Sequence, residues 1–268
     1  MSGNEKLEIY HHYRLSTFKA LIEKNFDLDI IKVIDFGCGD GSLSKLFKGS
    51  YTGIDPSSEM IRIAKETYPN KEFINGGLDD LDRECQNSTV DLIICLNTLP
   101  YMDEKQVDRF FSIVTKSKTN VVISHTNELL DLSSCNRYTI EHRESLLNNH
   151  SKISETLINF KALYLNSDIP KPISQVEKRF GTTEINTSER DSVKKYRVDP
   201  FTWPDEISKK YNLKRSKLYP IRIFALPPSI MESDVNSFKL LHSDYFDDLP
   251  QTYKLLFCSQ FRVIYKPN

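Results

Sequence analysis

The sequence predicts a doubly wound α/β fold, with a mostly parallel sheet of seven strands and helices on both faces. Three observations predict this class. Apolar runs of strand length alternate with helical segments through residue 126. The first run, IIKVIDF (30–36), is rich in β-branched residues, as strands buried on both faces are. A glycine-rich turn, GCGDG (37–41), then leads into the next helical segment, as in nucleotide-binding α/β folds.

The elements can be placed in order along the chain. Leucines and aromatic residues at near-helical spacing predict a first helix over residues 5–24. Leu43 begins a short apolar pattern that predicts a helix after the glycine turn. Further helices are predicted over 57–68 with Ser57 or Ser58 as N-cap, from Asp103 with Gln106 as capping partner, and over 204–211. The seven predicted strands are 30–36, 51–56, 71–76, 90–97, 120–126, 213–224 and 255–266.

The alternation stops after residue 127, which divides the chain into three parts. Residues 1–127 form the first helix and the first part of the α/β domain. Residues 128–200, which are polar, charged and rich in tyrosine, are predicted to be an inserted cap. Residues 201–268 complete the domain, with a second small insertion near 225–254. Ligands of doubly wound folds bind beyond the carboxyl ends of the strands, so the cap is expected to cover the site.

The composition excludes several classes of protein. The chain is 39% hydrophobic and 27% charged, with a formal net charge of -1, which indicates a globular protein and argues against a general nucleic-acid binder. Its five cysteines show no metal-ligand spacing, so we expect reduced thiols, a reducing cytoplasmic compartment and no bound metal. No apolar run reaches the length of a membrane span, and the N-terminus has no apolar signal core.

The glycine turn concentrates three of the chain's nine glycines in five positions: Gly37, Gly39 and Gly41. The dinucleotide pattern G-x-G-x-x-G is not completed, because residue 42 is serine. Either the glycines only permit a tight turn, or a ligand approaches the backbone more closely than a Cβ would allow. Acidic residues at the ends of the first two strands, Asp35 and Asp55, favour a ligand.

The segment VIDFGCGDG (33–41) resembles the first motif of the class I S-adenosylmethionine-dependent methyltransferases, which reads apolar-apolar-Asp-x-Gly-x-Gly-x-Gly. Further matches follow in order: Asp55 closes the second strand, Gly76-Gly77 forms a turn after the third, and Asp91 leads the fourth. The resemblance covers about residues 30–127 and, more weakly, the final strands. It implies that residues 1–127 bind S-adenosyl-L-methionine and that the chain is a methyltransferase.

The resemblance also implies roles for single residues. The backbone of Gly37, Cys38 and Gly39, in the turn completed by Gly41, would face the methionine moiety of the cofactor. Asp35 would stand near the ammonium group, directly or through water.

The ribose and adenine contacts follow in the same way. Asp55 would accept hydrogen bonds from the ribose hydroxyls, and the backbone N–H of Leu78 would contact the adenine ring. Gly77 departs from the family, because many relatives have an aspartate there for the adenine amino group. Either Asp79 or Asp80 substitutes, or this contact is missing.

The remaining candidates lie in the first helix and beyond the fourth and fifth strands. Tyr13 and Arg14 would close over the cofactor, with Arg14 paired to its carboxylate, and Asn97 would lie near the methionine part. His125, in ISHTNEL, is the leading general base, because imidazole titrates in the useful range and a hydroxyl acceptor must lose its proton. It could instead stabilise the turn locally. Tyr101 could line the acceptor pocket, donate a hydrogen bond to the acceptor or simply form an aromatic wall.

The acceptor itself is predicted from the size of the cap. A large cap indicates an enclosed acceptor, so we expect O-methylation of a small molecule or a saccharide precursor. Late segments such as YPIRIFALPP weakly resemble methyltransferases of surface-glycan and secondary-metabolite pathways. The alternatives are N-methylation, an RNA or protein acceptor, and a binding module without catalysis.

Overall fold

The structure, a computed structural model, describes residues 3–127, 198–223 and 250–268. The predicted cap and the second insertion therefore lie almost wholly outside the described residues. Among the described residues the helices are α1 Gly3–Glu23, α2 Ser58–Thr67, α3 Leu78–Asn87, α4 Glu104–Ser117, α5 Trp203–Tyr211 and α6 Gln251–Phe257. The strands are β1 Val33–Phe36, β2 Tyr51–Asp55, β3 Glu72–Asn75, β4 Leu92–Leu96, β5 Asn120–Thr126, β6 Leu213–Ile223 and β7 Cys258–Pro267.

The seven strands form one sheet in the order β3-β2-β1-β4-β5-β7-β6. The pairs β1–β2, β2–β3, β1–β4 and β4–β5 are parallel. After β3 the chain crosses back to the other side of β1, so the strand order reverses between β1 and β4. The predicted doubly wound, mostly parallel sheet is confirmed, and this reversal is where such folds open a ligand crevice.

The central strands are buried because they are apolar on both faces. All four residues of β1 and all five of β4 are buried. Phe18 and Ile22 of α1 are fully buried in the same hydrophobic cluster as Val33 and Ile94. Each such side chain contributes roughly 1.5–3 kcal/mol through burial. The cluster fixes α1 against the sheet, and this determines where the polar residues of the helix lie.

The helix starts follow the capping residues of the sequence. The Ser57 hydroxyl accepts from the Met60 N–H at 3.3 Å, and α2 begins at the next residue. Asp103 accepts from the Gln106 N–H at 2.8 Å, while the Gln106 side chain accepts from the Asp103 N–H at 2.9 Å. Both predicted N-caps are confirmed.

Four boundaries or elements differ from the prediction. Ile30 is 76% exposed in a turn, so the first strand begins only at Val33. Residues 255–257 belong to α6 and not to the last strand, since a short apolar run fits either structure. The segment after the glycine turn is a 3₁₀ helix, Ser42–Leu46. Helix α3 was not predicted, because it buries only Leu81 and carries no apolar stripe.

The chain divides into two compact units. The larger unit comprises residues 12–125, 204–219 and 262–268, and it contains all the predicted cofactor-binding residues. The other comprises residues 1–11, 126–203 and 220–261. Within the second unit, the Val198 N–H donates to the Thr126 carbonyl at 3.2 Å. The chain therefore enters and leaves the region of the predicted cap at neighbouring points beside the end of β5. The side-chain amide of Asn127 donates to the carbonyls of Leu255 and Cys258, each at 2.8 Å.

Candidate functional site

The three glycines of the turn after β1 all adopt the left-handed conformation, with φ of 78° at Gly37, 55° at Gly39 and 71° at Gly41. Their surroundings differ. A Cβ on Gly37 would lie 1.9 Å from the Thr98 hydroxyl oxygen, and one on Gly41 would lie 2.7 Å from the Phe73 ring. Among the described residues, no atom would lie within 4 Å of a Cβ on Gly39. Packing thus requires two of the glycines, and the third has open space beside it within this part of the chain.

Asp55 ties this turn to the carboxyl end of β2. Its Oδ2 accepts from the Gly39 N–H at 2.9 Å, and its Oδ1 accepts from the Ser57 N–H at 2.9 Å. Each carboxylate oxygen can accept a second hydrogen bond. Asp55 is therefore held rigidly beside the open space at Gly39 and keeps the capacity to accept from two hydroxyls.

Asp35 is only 1% exposed, and the Tyr51 hydroxyl donates to its Oδ2 at 2.6 Å. The Tyr51 ring lies 5.9 Å from that of Phe47 and 6.0 Å from that of Phe73, between centroids. Burial raises the pKa of Asp35 to about 6, against the opposing effects of the Tyr51 hydrogen bond and the charge of Arg14. Of the two contacts predicted for Asp35, this burial favours the one through water.

Helix α1 brings Arg14 to the glycine turn. Its Nη2 donates to the Ser42 hydroxyl at 3.1 Å, one residue beyond Gly41. Its Nε is buried and contacts no hydrogen-bond acceptor among the described residues. Tyr13, half-buried on the same helical turn, accepts through its carbonyl from Thr17 at 2.7 Å. A fixed guanidinium with an unused donor is suited to a carboxylate ligand.

The comparisons with known proteins match the part of the chain that carries this site. Residues 33–117 match the family model described as a methyltransferase domain. A putative methyltransferase 235L of Invertebrate iridescent virus 6 is 40% identical over 102 residues, which are 34% of this chain and 37% of that protein. The ubiquinone/menaquinone biosynthesis C-methyltransferase UbiE of Campylobacter jejuni is 31% identical over 108 residues, 36% of this chain and 45% of that protein.

Over residues 33–117, the segment that carries the glycine turn, the chain is therefore similar to methyltransferase domains. Two solved structures have a similar fold. The methyltransferase domain of bacterial-CtHen1-C has a TM-score of 0.53 at 14% identity, covering 97% of this chain and 99% of that one. Magnesium protoporphyrin IX methyltransferase (ChlM) from Synechocystis PCC 6803, with bound SAH, has a TM-score of 0.52 at 13% identity, covering 97% and 84%.

The Cys38 thiol packs against the sheet, away from the role that the resemblance gives to the backbone of this residue. Its Sγ would lie 2.8 Å from a Cβ on Gly53, so the side chain occupies space beside the sheet. Burial raises the pKa of the Cys38 thiol well above its usual range. We infer no chemistry from this sulfur.

Helix α3 begins at Leu78, and backbone N–H groups in a first helical turn have no partner within the helix. The Leu78 N–H is thus in position to donate to a ligand. Asp80 accepts from the Gly77 N–H at 2.9 Å and pairs with Arg83 at 2.7 Å. The Asp79 side chain is 85% exposed and pairs with Arg109 of α4. Both acidic candidates for the adenine amino group therefore already have other partners.

Asn97 follows β4 in the left-handed conformation, with φ of 61°. Its N–H donates to the Ser124 hydroxyl oxygen at 2.8 Å, and that hydroxyl donates to the Asn97 Oδ1 at 3.0 Å. Ser124 of β5 thus orients the side chain that the superfamily resemblance places near the methionine part. Sequence analysis missed Ser124, because its signal is a contact across two strands.

The predicted acceptor residues lie at or after the carboxyl ends of two neighbouring strands, β5 and β4. His125 is 2% exposed near the end of β5, and Tyr101 is 48% exposed in the 3₁₀ turn Leu99–Tyr101 after β4. Since successive side chains of a strand point to opposite faces, His125 lies on the other face from Ser124. The side-chain amide of Asn127, which follows β5, donates to the backbone carbonyls of Leu255 and Cys258.

Among residues 3–127, 198–223 and 250–268, no three His, Cys, Asp or Glu side chains are grouped so that they could hold a metal ion. No helix in the same ranges has the length and apolar character needed to cross a membrane.

Proposed function

We propose that this protein transfers a methyl group from S-adenosyl-L-methionine to a hydroxyl of a small molecule or saccharide precursor. One observation carries the cofactor part of the proposal. Arg14, Asp35 and Asp55 surround a glycine turn whose central residue, Gly39, faces open space. The matched segments span only 37–46% of the curated relatives' own length, so activity and acceptor rest on this site and on the sequence.

The residues present fit the cofactor group by group. Asp55 has free acceptor capacity for the ribose hydroxyls, and the Leu78 N–H is available for the adenine ring. Arg14 has an unused buried donor for the carboxylate, and Asp35 supplies negative potential for the ammonium group. When bound, S-adenosyl-L-methionine supplies an electrophilic methyl group on a sulfonium.

The chain's own contribution to catalysis is orientation and proton removal. A hydroxyl held in line with the methyl group reacts much faster than one that must find this geometry. We assign His125 as the base that accepts the hydroxyl proton. It is a histidine near the carboxyl end of β5, and β5 pairs with β4, where the strand order reverses. Tyr101, half-exposed after β4, is proposed to line the acceptor pocket.

The acceptor class rests on sequence features and not on relatives. UbiE is named as a C-methyltransferase of quinone biosynthesis and ChlM as a magnesium protoporphyrin IX methyltransferase, so similar domains serve different acceptors. Residues 128–200 are proposed as the cap that selects an enclosed acceptor. The formal net charge of -1 argues against an RNA acceptor.

A labelling experiment tests the proposal. The protein is incubated with methyl-labelled S-adenosyl-L-methionine and, separately, with a small-molecule and saccharide extract, total RNA and total protein. We expect label in the small-molecule pool, in the form of an O-methyl ether. Asp55→Ala should transfer no label. Label confined to RNA or protein would contradict the acceptor class.

A further inference from the structure

The buried guanidinium of Arg262 lies under the helical turn that carries Tyr13 and Arg14. Arg262 is 4% exposed on β7, within the same compact unit as the cofactor residues. Its Nη1 donates to the Thr17 hydroxyl oxygen at 3.1 Å, and its Nη2 donates to the Arg14 carbonyl at 3.4 Å. A buried arginine is costly unless it is well paired, so its placement under one helical turn needs a reason.

We propose that Arg262 is a positioning residue that holds Arg14 in place to receive the carboxylate of the cofactor. This inference rests on the proposed cofactor site. The geometry supports it through a continuous series of contacts. Arg262 holds the backbone of Arg14, and the Arg14 side chain holds Ser42 at the glycine turn.

Three contacts of Arg262 restrain this part of α1 in different ways. The hydrogen bond to Thr17 acts one helical turn beyond Tyr13, whose carbonyl Thr17 also contacts. The Arg262 guanidinium lies 5.4 Å from the centroid of the fully buried Phe18 ring, a cation–π contact that fixes the adjacent residue. The hydrogen bond to the Arg14 carbonyl is the third. Together these contacts restrain the position of this helical turn along the axis of α1 and its rotation about that axis.

The role predicts selectivity between two ligands. S-adenosylhomocysteine carries the amino-acid tail that Arg14 would bind, and 5′-methylthioadenosine has the same nucleoside thioether without that tail. If Arg262 acts through Arg14, removal of the Arg262 side chain weakens binding only of the ligand that carries the amino-acid tail. A purely structural role would lower the unfolding temperature and affect both ligands alike.

The experiment measures both dissociation constants by calorimetry for the wild type, Arg262→Met, Arg14→Met and the double variant. Arg262→Met should cost about one charge-assisted hydrogen bond to the ligand. We therefore expect it to weaken binding of S-adenosylhomocysteine about 10-fold and binding of 5′-methylthioadenosine less than about 2-fold. In the double variant the two losses should not add, since both act on one carboxylate contact.

Two further variants keep the test informative. Thr17→Val removes an acceptor of Arg262 and keeps a side chain of similar shape. It should weaken binding of S-adenosylhomocysteine by a smaller factor than Arg262→Met does. This variant remains informative even if Arg262→Met folds poorly. Arg215→Met, which removes an arginine paired with Asp205 at 2.8 Å, is the matched control and should change neither constant.

The outcomes separate this inference from the proposed function. A wild type that binds neither ligand contradicts the cofactor site itself. A wild type that prefers S-adenosylhomocysteine, with Arg262→Met and Thr17→Val unchanged or weakened equally for both ligands, contradicts the role of Arg262 alone. Additive losses in the double variant would also contradict it.

Discussion

The donor side and the acceptor side of the site differ in how the structure holds their residues. On the proposed donor side, at the carboxyl ends of β1 and β2, Asp35, Gly39 and Asp55 are joined to neighbouring residues by short hydrogen bonds. On the acceptor side, beyond β4 and β5, Tyr101 is half-exposed and His125 is buried. The difference teaches that the residues proposed for the donor side are held in place by contacts within residues 33–117, the segment that matches the methyltransferase domain.

The largest expected effect separates the two sides. If His125 is the general base, His125→Ala should lower turnover about 10²–10⁴-fold, because proton removal is lost from the transition state. The dissociation constant for S-adenosylhomocysteine should change less than about 2-fold, since His125 is not assigned to the cofactor. Both quantities are measured on the same preparation. Turnover equal to wild type would remove His125 as base and leave the donor side unaffected.

A second comparison divides the glycines of the turn. Gly37→Ala should destabilise the fold by about 3 kcal/mol or more, because its Cβ would lie 1.9 Å from the Thr98 hydroxyl oxygen and φ is 78°. The Cβ of Gly39→Ala would have no described side chain within 4 Å, so the substitution should cost only about 1–2 kcal/mol in backbone strain. Its main effect should be weaker S-adenosylhomocysteine binding, measured by calorimetry beside chemical denaturation.

A compensating variant sharpens this test. Gly37→Ala combined with Thr98→Ala removes the colliding hydroxyl and should recover part of the lost stability. If Gly39→Ala folds and binds the ligand as the wild type does, the open space at Gly39 is not the cofactor site.

A third effect depends on pH. The folded-state pKa of Asp35 is about 6, raised above its ordinary value of 3.8 mainly by burial, so its contribution to stability is present below pH 4 and is lost as pH rises through 6. Asp35→Asn should therefore gain stability relative to wild type over this range, by about 3 kcal/mol at most. Urea denaturation of both proteins across the range measures the difference.

Cofactor binding should show the opposite trend. The ammonium group favours ionised Asp35, so wild-type affinity for S-adenosylhomocysteine should rise up to about 10-fold between pH 5 and 7. This rise should be flatter in Asp35→Asn. Tyr51→Phe, which removes the hydrogen bond that lowers the pKa of Asp35, should move the transition to higher pH. Identical pH profiles in all three proteins would contradict a role for Asp35.

The sequence predicted the features that depend on local pattern. The central strands, the glycine turn and the caps at Ser57 and Asp103 all follow from apolar periodicity or capping chemistry within a few residues. The same local signals placed Asp35 and Asp55 at strand ends, where the structure has them.

What the sequence could not predict depends on distant contacts or on ambiguous pattern. Helix α3 is polar almost throughout, so it shows no helical stripe. Tyr51 lies in the predicted second strand, but its hydrogen bond to Asp35 requires two strands in register. The support of Arg14 by Arg262 joins residues 248 positions apart. No local pattern encodes such a contact.

The most direct test of the cofactor site is calorimetric titration of the wild type, Asp55→Ala and Asp91→Ala with S-adenosylhomocysteine. Asp91, whose carboxylate accepts from the Lys32 N–H at 2.8 Å beside the start of β4, is the control for loss of an aspartate that holds backbone. We expect one site per wild-type chain, unchanged in Asp91→Ala and weakened at least about 10-fold in Asp55→Ala. No binding to the wild type, or equal binding by all three proteins, would contradict the assignment of this turn as the cofactor site.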